Sequence, residues 1–424
     1  MIGLYMIIIL FVLFMFRVPI SFALGISSLF GLVMGGTNIE VMTQHMFSGI
    51  TATLLAIPLF ILAGDIMAQG GMSKKLVNFA QLIVGHLPAG LGLAAILSCM
   101  LFSAISGSAI GDAAALGGIL IPAMIAKNYS REFSASIIAT GSVMGGIIPP
   151  SISLILFGVM TNASIGDLFM AGVTPGIVLG ILLLVYVYYY GVKHNIRDRA
   201  KRATLKEVMT GLKDAFLALL LPIIIIGGFR LGFFTATEAG VVATVYSLIV
   251  SLAFDKELKI TMIPKMLFNS VKTTSSILFL IATASVFSWI LTYNSVPQIL
   301  SDAITGVFHE KWLVLLVLNI ILLIAGTFIE TVPALTIFTP LFFPIVTELG
   351  MDPVQFGIMI VFNLTIGMIT PPVGLCLFTT TAIARTTILK TLKPFLPQLL
   401  ILLFVLVLVT YWPNFSLLLP SILK

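Results

Sequence analysis

Long apolar stretches follow one another along almost the whole chain, separated by short polar segments. A helix needs about 20 mostly apolar residues to cross a bilayer. The candidate segments of the first half are 2–16, 18–36, 54–70, 89–126, 133–160 and 169–192. Those of the second half are 215–231, 237–254, 273–293, 312–347, 354–384 and 394–412. The pattern predicts an all-α polytopic membrane protein.

The basic residues between these segments indicate which ends face the cytoplasm, because cytoplasmic loops are enriched in Lys and Arg. The stretch 193–214 carries seven Lys or Arg residues against three acidic ones. The other loops assigned to the cytoplasm carry Lys127, Arg131, Lys256, Lys259, Arg385, Lys390 and Lys393. These assignments are mutually consistent only when segments 89–126 and 312–347 do not cross the membrane.

Segments 89–126 and 312–347 are each too long for one span and too short for two. Small or polar residues occupy the middle of both, such as Ser106 and Gly107 in the first and Gly326 and Thr327 in the second. We therefore predict two re-entrant helical hairpins. Such tips persist at membrane depth only where protein or a water-filled cavity satisfies their backbone.

With this choice each half has five spans and one hairpin, so the second half is inverted relative to the first. We predict two inverted repeats. The first is 1–205 (hairpin 89–126, broken span 133–160), and the second is 206–424 (hairpin 312–347, broken span 354–384). Met1 and Lys424 then both lie outside. The proline doublets 149–150 and 371–372 recur at an offset of 222 residues and support the repeat.

Amphipathic pieces lie between the spans, where charges mix with apolar residues at helical spacing. They are 38–50, 73–87, 260–271 and 297–309. We interpret them as helices in the membrane interface, and ordinary loops are the alternative.

The proline doublets predict breaks in their helices, because proline lacks a backbone donor and clashes with the preceding turn. A break frees carbonyl groups, and a bound cation is one partner for them; a kink healed by neighbouring groups is the alternative. The first candidate cation site comprises Ser103, Ser106, Gly145, Ile148 and Pro150. The second comprises Ala325, Gly326, Thr327, Phe328, Gly367 and Thr370, and it relies more on backbone oxygens.

The breaks also leave half-helix N-termini at Ser151 and Val373, whose partial positive charge suits an anionic solute. Acidic residues at membrane depth are functional candidates. Asp112 and Glu330 belong to the hairpins; they are candidates for a functional role, and the alternative is that each caps the returning helix of its hairpin. Asp65 is interpreted as an interface residue. The candidate substrate residues are Ser108, Asp112, Ser151, Glu330, Thr331 and Val373.

Composition excludes several classes of protein. Only 9% of the residues are charged and the mean hydropathy is +1.18, whereas soluble domains carry about 25% charged residues. The net charge of +6 is assigned to cytoplasmic loops and not to nucleic-acid binding. No GxxxxGK[ST] or HExxH motif occurs, the GxGD pattern fails at Asp65 and Asp112, and Cys99 and Cys376 lie far apart. We expect a transporter and not an enzyme; a channel or an exporter on the same scaffold remains open.

Several motifs together are typical of one protein family. They are RVPI at 17–20, FSAISGS at 102–108, DAAALG at 112–117, GGIIPPS at 145–151 and GMITPPVG at 367–374. With them the chain resembles, over essentially its whole length, the large membrane subunit of tripartite ATP-independent periplasmic (TRAP) transporters.

The resemblance implies an elevator mechanism driven by a sodium gradient, so that Na+ would be the cation of both candidate sites. It implies residence in a bacterial inner membrane with both termini periplasmic. It also implies two partners: a small four-helix membrane subunit, expected here as a separate polypeptide, and a periplasmic binding protein. The solute would be an organic acid of the sialic acid or C4-dicarboxylate class, and general likeness favours a sialic acid.

Overall fold

The computed structural model describes residues 2–196, 198 and 200–422. Within these residues every regular element is helical, which confirms the all-α prediction. The expectation that both termini lie outside concerns Met1 and Lys424, which are not among the described residues.

The first half contains helices α1 (Ile2–Met15), α2 (Ile20–Met34), α3 (Glu40–Ser48), α4 (Ala56–Gln69), α5 (Met72–Val84), α6 (Gly90–Ser106), α7 (Ala109–Ala126), α8 (Arg131–Ser142), α9 (Ile152–Thr161) and α10 (Ile165–Lys193). The second half contains α11 (Leu205–Arg230), α12 (Ala236–Ile249), α13 (Ile263–Tyr293), α14 (Val296–Val307), α15 (Lys311–Phe328), α16 (Thr331–Glu348), α17 (Pro353–Gly367), α18 (Leu375–Ala384), α19 (Ile388–Tyr411) and α20 (Pro413–Ile422). In the described part of the chain, nine helical segments are long and apolar enough to cross a membrane.

The helix bounds of the two halves correspond at the sequence offset of 222. Shifted by this number, α7 coincides with α16, and the first residue of α8, Arg131, coincides with that of α17, Pro353. The arms that meet at the tips, α6 with α7 and α15 with α16, therefore occupy equivalent places in the two halves. The correspondence extends the likeness of the proline doublets from a few residues to whole helices.

Both proline doublets interrupt a helix. After α8 a single 3-10 turn, Val143–Gly146, ends the first part, and α9 begins only at Ile152. Likewise α17 ends at Gly367 and α18 begins at Leu375. The peptide bonds Pro149-Pro150 and Pro371-Pro372 are cis. The interruptions lie where the missing proline N–H groups predict them.

The hairpin tips pack closely against these interruptions. Gly107 has φ +63°, and a Cβ added there would lie 2.4 Å from the carbonyl oxygen of Pro150. In the second half, a Cβ on Gly367 would lie 2.4 Å from the carbonyl carbon of Gly326. Only glycine permits such approach between two backbones. Each tip is thereby held against the broken helix of its own half.

Three elements differ from the sequence-based expectation. The amphipathic piece 260–271 is not separate from the following span, because α13 runs without interruption from Ile263 to Tyr293. The first half is interrupted at the comparable place, where Thr51 is extended between α3 and a 3-10 turn. Helix α11 begins at Leu205, inside the charged stretch, on a capping box of Thr204 and Glu207. Helix α20 was not anticipated.

The two halves pack through a buried polar contact as well as through apolar side chains. Gln398 of α19 accepts a hydrogen bond from Thr140 Oγ1 at 2.7 Å and donates one to Ser136 Oγ at 2.9 Å, both on α8. All three side chains are fully buried. Nearby, the Arg131 guanidinium donates to the carbonyl oxygen of Ala384 at 2.8 Å, where α18 ends. The interrupted helices of the two halves are thus tied to each other.

Candidate functional site

Both hairpin tips open onto one internal cavity of about 570 Å³. The tip of the first hairpin contributes Ser106 to Gly111, and that of the second contributes Glu330 to Val332. Residues of both broken helices, Gly146 and Met368, complete the wall on this side. Because the tips end at a cavity inside the protein, water there can satisfy their backbone groups.

The first tip surrounds a buried carboxylate. Ser103 Oγ donates a hydrogen bond to Asp112 Oδ2 at 2.5 Å, and Ser106 Oγ donates to Asp112 Oδ1. Asp112 is fully buried. A Cβ added to Gly145 would lie 2.5 Å from Asp112 Oδ2, so this glycine gives the carboxylate its space. The structure thus brings Ser103, Ser106 and Gly145 together around a residue that the sequence assigned to the substrate.

The remaining residues of the first candidate site lie around the helix break. The amide of Ile148 donates to the Met144 carbonyl oxygen at 2.8 Å, while its side chain packs against Gly176. The carbonyl oxygen of Pro150 lies against the tip at Gly107. A cation at this tip would find hydroxyl, carboxylate and carbonyl oxygens, which are the ligands that hard cations prefer.

The second candidate site has no carboxylate at the equivalent place, because the residue 222 positions after Asp112 is Ala334. Thr327 Oγ1 donates to the Ile324 carbonyl oxygen at 2.7 Å, and Thr370 Oγ1 donates to that of Ile366 at 2.8 Å. The carbonyl oxygen of Thr327 accepts from the Gly374 amide at 3.3 Å. This site is therefore built of backbone and hydroxyl groups, without a charge of its own.

The other residues predicted for the second candidate site make different kinds of contact. Gly326 and Gly367 form the close backbone contact described above, and the Ala325 carbonyl oxygen accepts from the Ile329 amide at 3.0 Å. The side chain of Phe328 is exposed on the outside of the helix bundle. Only the backbone of Phe328 is therefore available to the second site.

Of the predicted substrate residues, Ser108, Glu330 and Thr331 line the cavity. Ser108 is also the N-cap of α7, accepting from the Gly111 amide at 3.2 Å. Glu330 occupies the N-cap position of α16 but makes no capping hydrogen bond with its side chain. Thr331 Oγ1 contacts Met368 Sδ at 2.9 Å. The proposed capping role thus belongs to Ser108, while the Glu330 carboxylate is left facing the cavity.

Asp112, Ser151 and Val373 do not reach the cavity wall formed by the described residues. Ser151 is fully buried as the N-cap of α9, where its hydroxyl donates to the Gly146 carbonyl oxygen at 2.6 Å and accepts from the Leu154 amide at 3.3 Å. Val373 is partly exposed and precedes Gly374, the N-cap of α18. The N-cap of the half-helix in the second half therefore lies one residue later than expected.

The cavity wall also contains polar residues that the sequence did not assign to the substrate. They are Asp65, Ser153, Thr273 and Thr365. Asp65 lines the cavity, whereas the sequence favoured the membrane interface. Its neighbour Gly64 packs against Ser106, where an added Cβ would lie at an ordinary contact distance of 3.5 Å from the Ser106 Cα. Ser153 is one residue inside the half-helix α9. Nothing in the sequence marked Thr273 or Thr365 as a cavity residue, because each lies inside a continuous helix, α13 or α17, among mostly apolar residues.

The charge around the cavity is unevenly distributed. Among the residues described as its wall, the ionisable side chains are Asp65 and Glu330, both acidic. The N-termini of α7, α9 and α16 also face it and carry partial positive charge. A second opening of about 690 Å³ shares Thr273 and Glu330 and adds Lys272. An anion entering through this opening would pass Lys272 and Glu330 before it reaches the helix N-termini and hydroxyls of the first cavity.

Interrupted helices and paired hairpin tips around a cavity with acidic and hydroxyl side chains, all within apolar helices, define a polytopic membrane transporter. The chain belongs to the family described as the tripartite ATP-independent periplasmic transporter, DctM component, whose model matches residues 7–415. It is thus the large permease component of a three-part transporter and not an enzyme.

Individual relatives agree with this assignment. The chain is 43% identical over 369 residues to the C4-dicarboxylate TRAP transporter large permease protein DctM of Pseudomonas aeruginosa, which covers 87% of this chain and 86% of that protein. It is 37% identical over 406 residues to the sialic acid TRAP transporter large permease protein SiaM of Vibrio cholerae, covering 95% of each. Among solved structures, the YdaH transporter of Alcanivorax borkumensis shares the fold, with a TM-score of 0.62 at 14% identity over 88% of this chain and 87% of that one.

Proposed function

We propose that this chain is the transport subunit of a sodium-coupled secondary transporter that imports an organic acid. The observation that carries the proposal is the convergence of both hairpin tips and both broken helices on one cavity, with Asp112 bound by Ser103 and Ser106 beside it. A cation at this carboxylate and an anion at the helix N-termini would lie close enough to stabilise each other. Binding of the solute would then depend on sodium.

The proposal extends to the architecture. The two halves are inverted repeats, and the hairpins with the interrupted helices form the body that moves across the membrane in an elevator mechanism. The correspondence of helix bounds at the 222-residue offset supports the repeat, and the ties between α8, α18 and α19 support a single moving body. Midplane sites at discontinuous helices are the usual arrangement in transporters built from such repeats.

Membership of the family supports a proposal for the partners and the solute. A periplasmic binding protein delivers the acid, a separate small membrane subunit completes the transporter, and the complex lies in a bacterial inner membrane with both termini periplasmic. The solute belongs to the organic acids of the sialic acid or C4-dicarboxylate class, for which two relatives are named. Carboxylate binding at helix N-termini is common to both classes.

Uptake by the reconstituted complex tests the proposal. Proteoliposomes with and without a sodium gradient, with and without the binding protein, are supplied with a panel of organic acids. We expect accumulation of one acid only when both the gradient and the binding protein are present. Equal accumulation without a sodium gradient would refute the coupling, and flux that needs no binding protein would favour a channel or an exporter.

A further inference from the structure

The segment between the two halves returns to the base of the first hairpin. After α10 ends at Lys193, the chain passes across the start of α6. The carbonyl oxygen of Asp198 accepts a hydrogen bond from the Gly90 amide at 3.1 Å, and the Ala200 amide donates to the Gly85 carbonyl oxygen at 2.8 Å. These backbone contacts join positions more than 100 residues apart.

Asp198 supplies the cap that α6 lacks locally. The first N–H groups of a helix have no partners within it and need external acceptors. At the N-cap of α6 stands Ala89, which has φ 55° and no side-chain oxygen to offer. Instead the Leu91 amide donates to Asp198 Oδ2 at 3.3 Å, and the Gly92 amide donates to the Tyr129 hydroxyl at 3.3 Å. A distant carboxylate thus occupies the positive end of the helix.

Tyr129 extends the contact to the other arm of the hairpin. It follows α7 in the chain, and its hydroxyl donates to Asp198 Oδ2 at 3.2 Å. Burial raises the pKa of the Tyr129 hydroxyl above its usual range, so the hydroxyl keeps the proton that it donates. Lys127, also after α7, lies 3.9 Å from Asp198 Oδ1. The Asp198 side chain is only 12% exposed, so this ion pair is partly shielded from water.

The second hairpin is anchored differently. At the offset of 222, the residue equivalent to Asp198 is Pro420, which lies within α20. Amides at the start of α15 find their acceptor in the adjoining chain. The Glu310 carbonyl oxygen accepts hydrogen bonds from the Leu313 amide at 3.0 Å and from the Val314 amide at 3.2 Å. The Asp198 contact is therefore specific to the first hairpin and is not a requirement of the repeated fold.

We propose that Asp198 is a positioning residue that fastens the segment between the halves to both arms of the first hairpin, so that this segment and the hairpin move as one body. Its carboxylate replaces a local helix cap, and Tyr129 links it to the second arm. The proposal rests on the proposed function only where transport is invoked; the fastening itself is a property of the folded chain.

Hydrogen exchange in the full-length chain tests the fastening. In Asp198→Ala the amide of Leu91 loses its acceptor, and we expect its exchange to accelerate about fivefold, as for loss of a helix cap. Asp198→Asn keeps an acceptor oxygen and should restore most of the protection, because Asn caps helices about as well as Asp. Peptides from the start of α15 serve as the internal control. Equal exchange at Leu91 in the wild type and Asp198→Ala would overturn the assignment.

Cross-linking tests the joint movement. In a Lys127→Cys and Ala200→Cys double variant, which keeps Asp198 and Tyr129, a bifunctional thiol reagent can bridge the two new cysteines, while the native Cys99 and Cys376 are fully buried. We expect the same cross-linking rate in the complex with sodium, without sodium and with the organic acid. A rate that changes severalfold between these conditions would show that segment and hairpin separate, and would overturn the proposal. Loss of sodium-driven uptake by the wild type would instead count against the proposed function and leave both tests valid.

Discussion

At the scale of single residues, Asp112 is the centre of the first candidate site. From the sequence we predicted that Ser103 and Ser106 bind the cation and that Asp112 binds the substrate. The structure joins them through two hydrogen bonds to one buried carboxylate. A buried carboxylate needs such donors because it has lost its hydration. The three side chains therefore act as one unit, and their effects on transport should not be additive.

The two serines offer the first prediction. A hydrogen bond to a charged group contributes about 1.5–3 kcal/mol. Ser103→Ala or Ser106→Ala should therefore weaken the apparent sodium affinity for uptake by about tenfold or more, and should weaken it more than it weakens folding. Ser98→Ala is the matched control, since Ser98 lies on the same helix but donates to the Ala94 carbonyl oxygen at 2.6 Å. Unchanged sodium affinity in both single variants would contradict a cation site at this tip.

Gly145 offers the second prediction. A Cβ there would lie 2.5 Å from Asp112 Oδ2 and within 3.2 Å of backbone atoms in α7, so the carboxylate must move in Gly145→Ala. We expect sodium-dependent uptake to fall about tenfold or more, because a preorganised site tolerates little displacement. Gly118→Ala in α7 is the control: nothing lies within 4 Å of its added Cβ. Equal uptake by the two variants would contradict the packing of Asp112 against Gly145.

At the scale of elements, each hairpin tip is locked to the interrupted helix of its own half. The tip of the first hairpin also shares a hydrogen bond with α9, from the Ile152 amide to the Gly107 carbonyl oxygen at 3.3 Å. The second tip is joined to the chain before α18 through Gly374 and Thr327. Free backbone groups of the tips and of the breaks thereby satisfy one another, as buried backbone requires.

The glycine pair in the second half tests this contact between elements. In Gly367→Ala the new methyl group would lie within 3 Å of three backbone atoms of Gly326, which cannot rotate away. We expect a loss of stability of about 1–3 kcal/mol, as for overpacking, together with reduced uptake. Thermal unfolding of the purified chain and uptake measure the two effects. Gly227→Ala in α11 has open space and should unfold like the wild type; identical behaviour of both variants would refute the close contact.

At the scale of the whole molecule, the cavity exists only because both halves contribute to it. Asp65 and Ser106 come from the first half, and Thr273, Glu330 and Thr365 come from the second. The halves are held together around it by Gln398, whose amide bonds two hydroxyls of α8 across the interface. Any displacement of one half relative to the other would therefore change the shape of the cavity.

Gln398 provides a prediction at this scale. Gln398→Ala leaves buried hydroxyls of Ser136 and Thr140 without a partner from the other half, at a cost of about 1–3 kcal/mol. The midpoint of thermal unfolding should fall, while uptake per folded molecule is retained. Gln44→Ala, at an exposed position of α3, is the control and should leave the midpoint unchanged. A Gln398→Ala midpoint equal to that of the control would contradict a role in joining the halves.

Much of the site could be predicted from the local chemistry of the sequence, but part of it could not. Serines, glycines and prolines at the tips and breaks mark the site because their backbone and hydroxyl properties are visible in the sequence. Ser151 and Val373 were predicted as the N-termini of half-helices, and Phe328 as the counterpart of Ser106 at the offset of 222. Ser151 and Val373 do not line the cavity, and the Phe328 side chain is exposed. The position of Asp65 at the cavity was not predicted, because the residue that its neighbour Gly64 packs against, Ser106, belongs to a hairpin later in the chain.

The sequence by itself determined the class of protein, the two interruptions and the two tips, because hydropathy and the geometry of proline and glycine act within a few residues of chain. Only the tertiary structure decided that Asp112 binds both serines, that Asp65 faces the cavity and that Asp198 caps α6. Each of these depends on which faces of separate helices meet. That outcome is set by the packing of the whole bundle, which no local pattern of apolar and polar residues specifies.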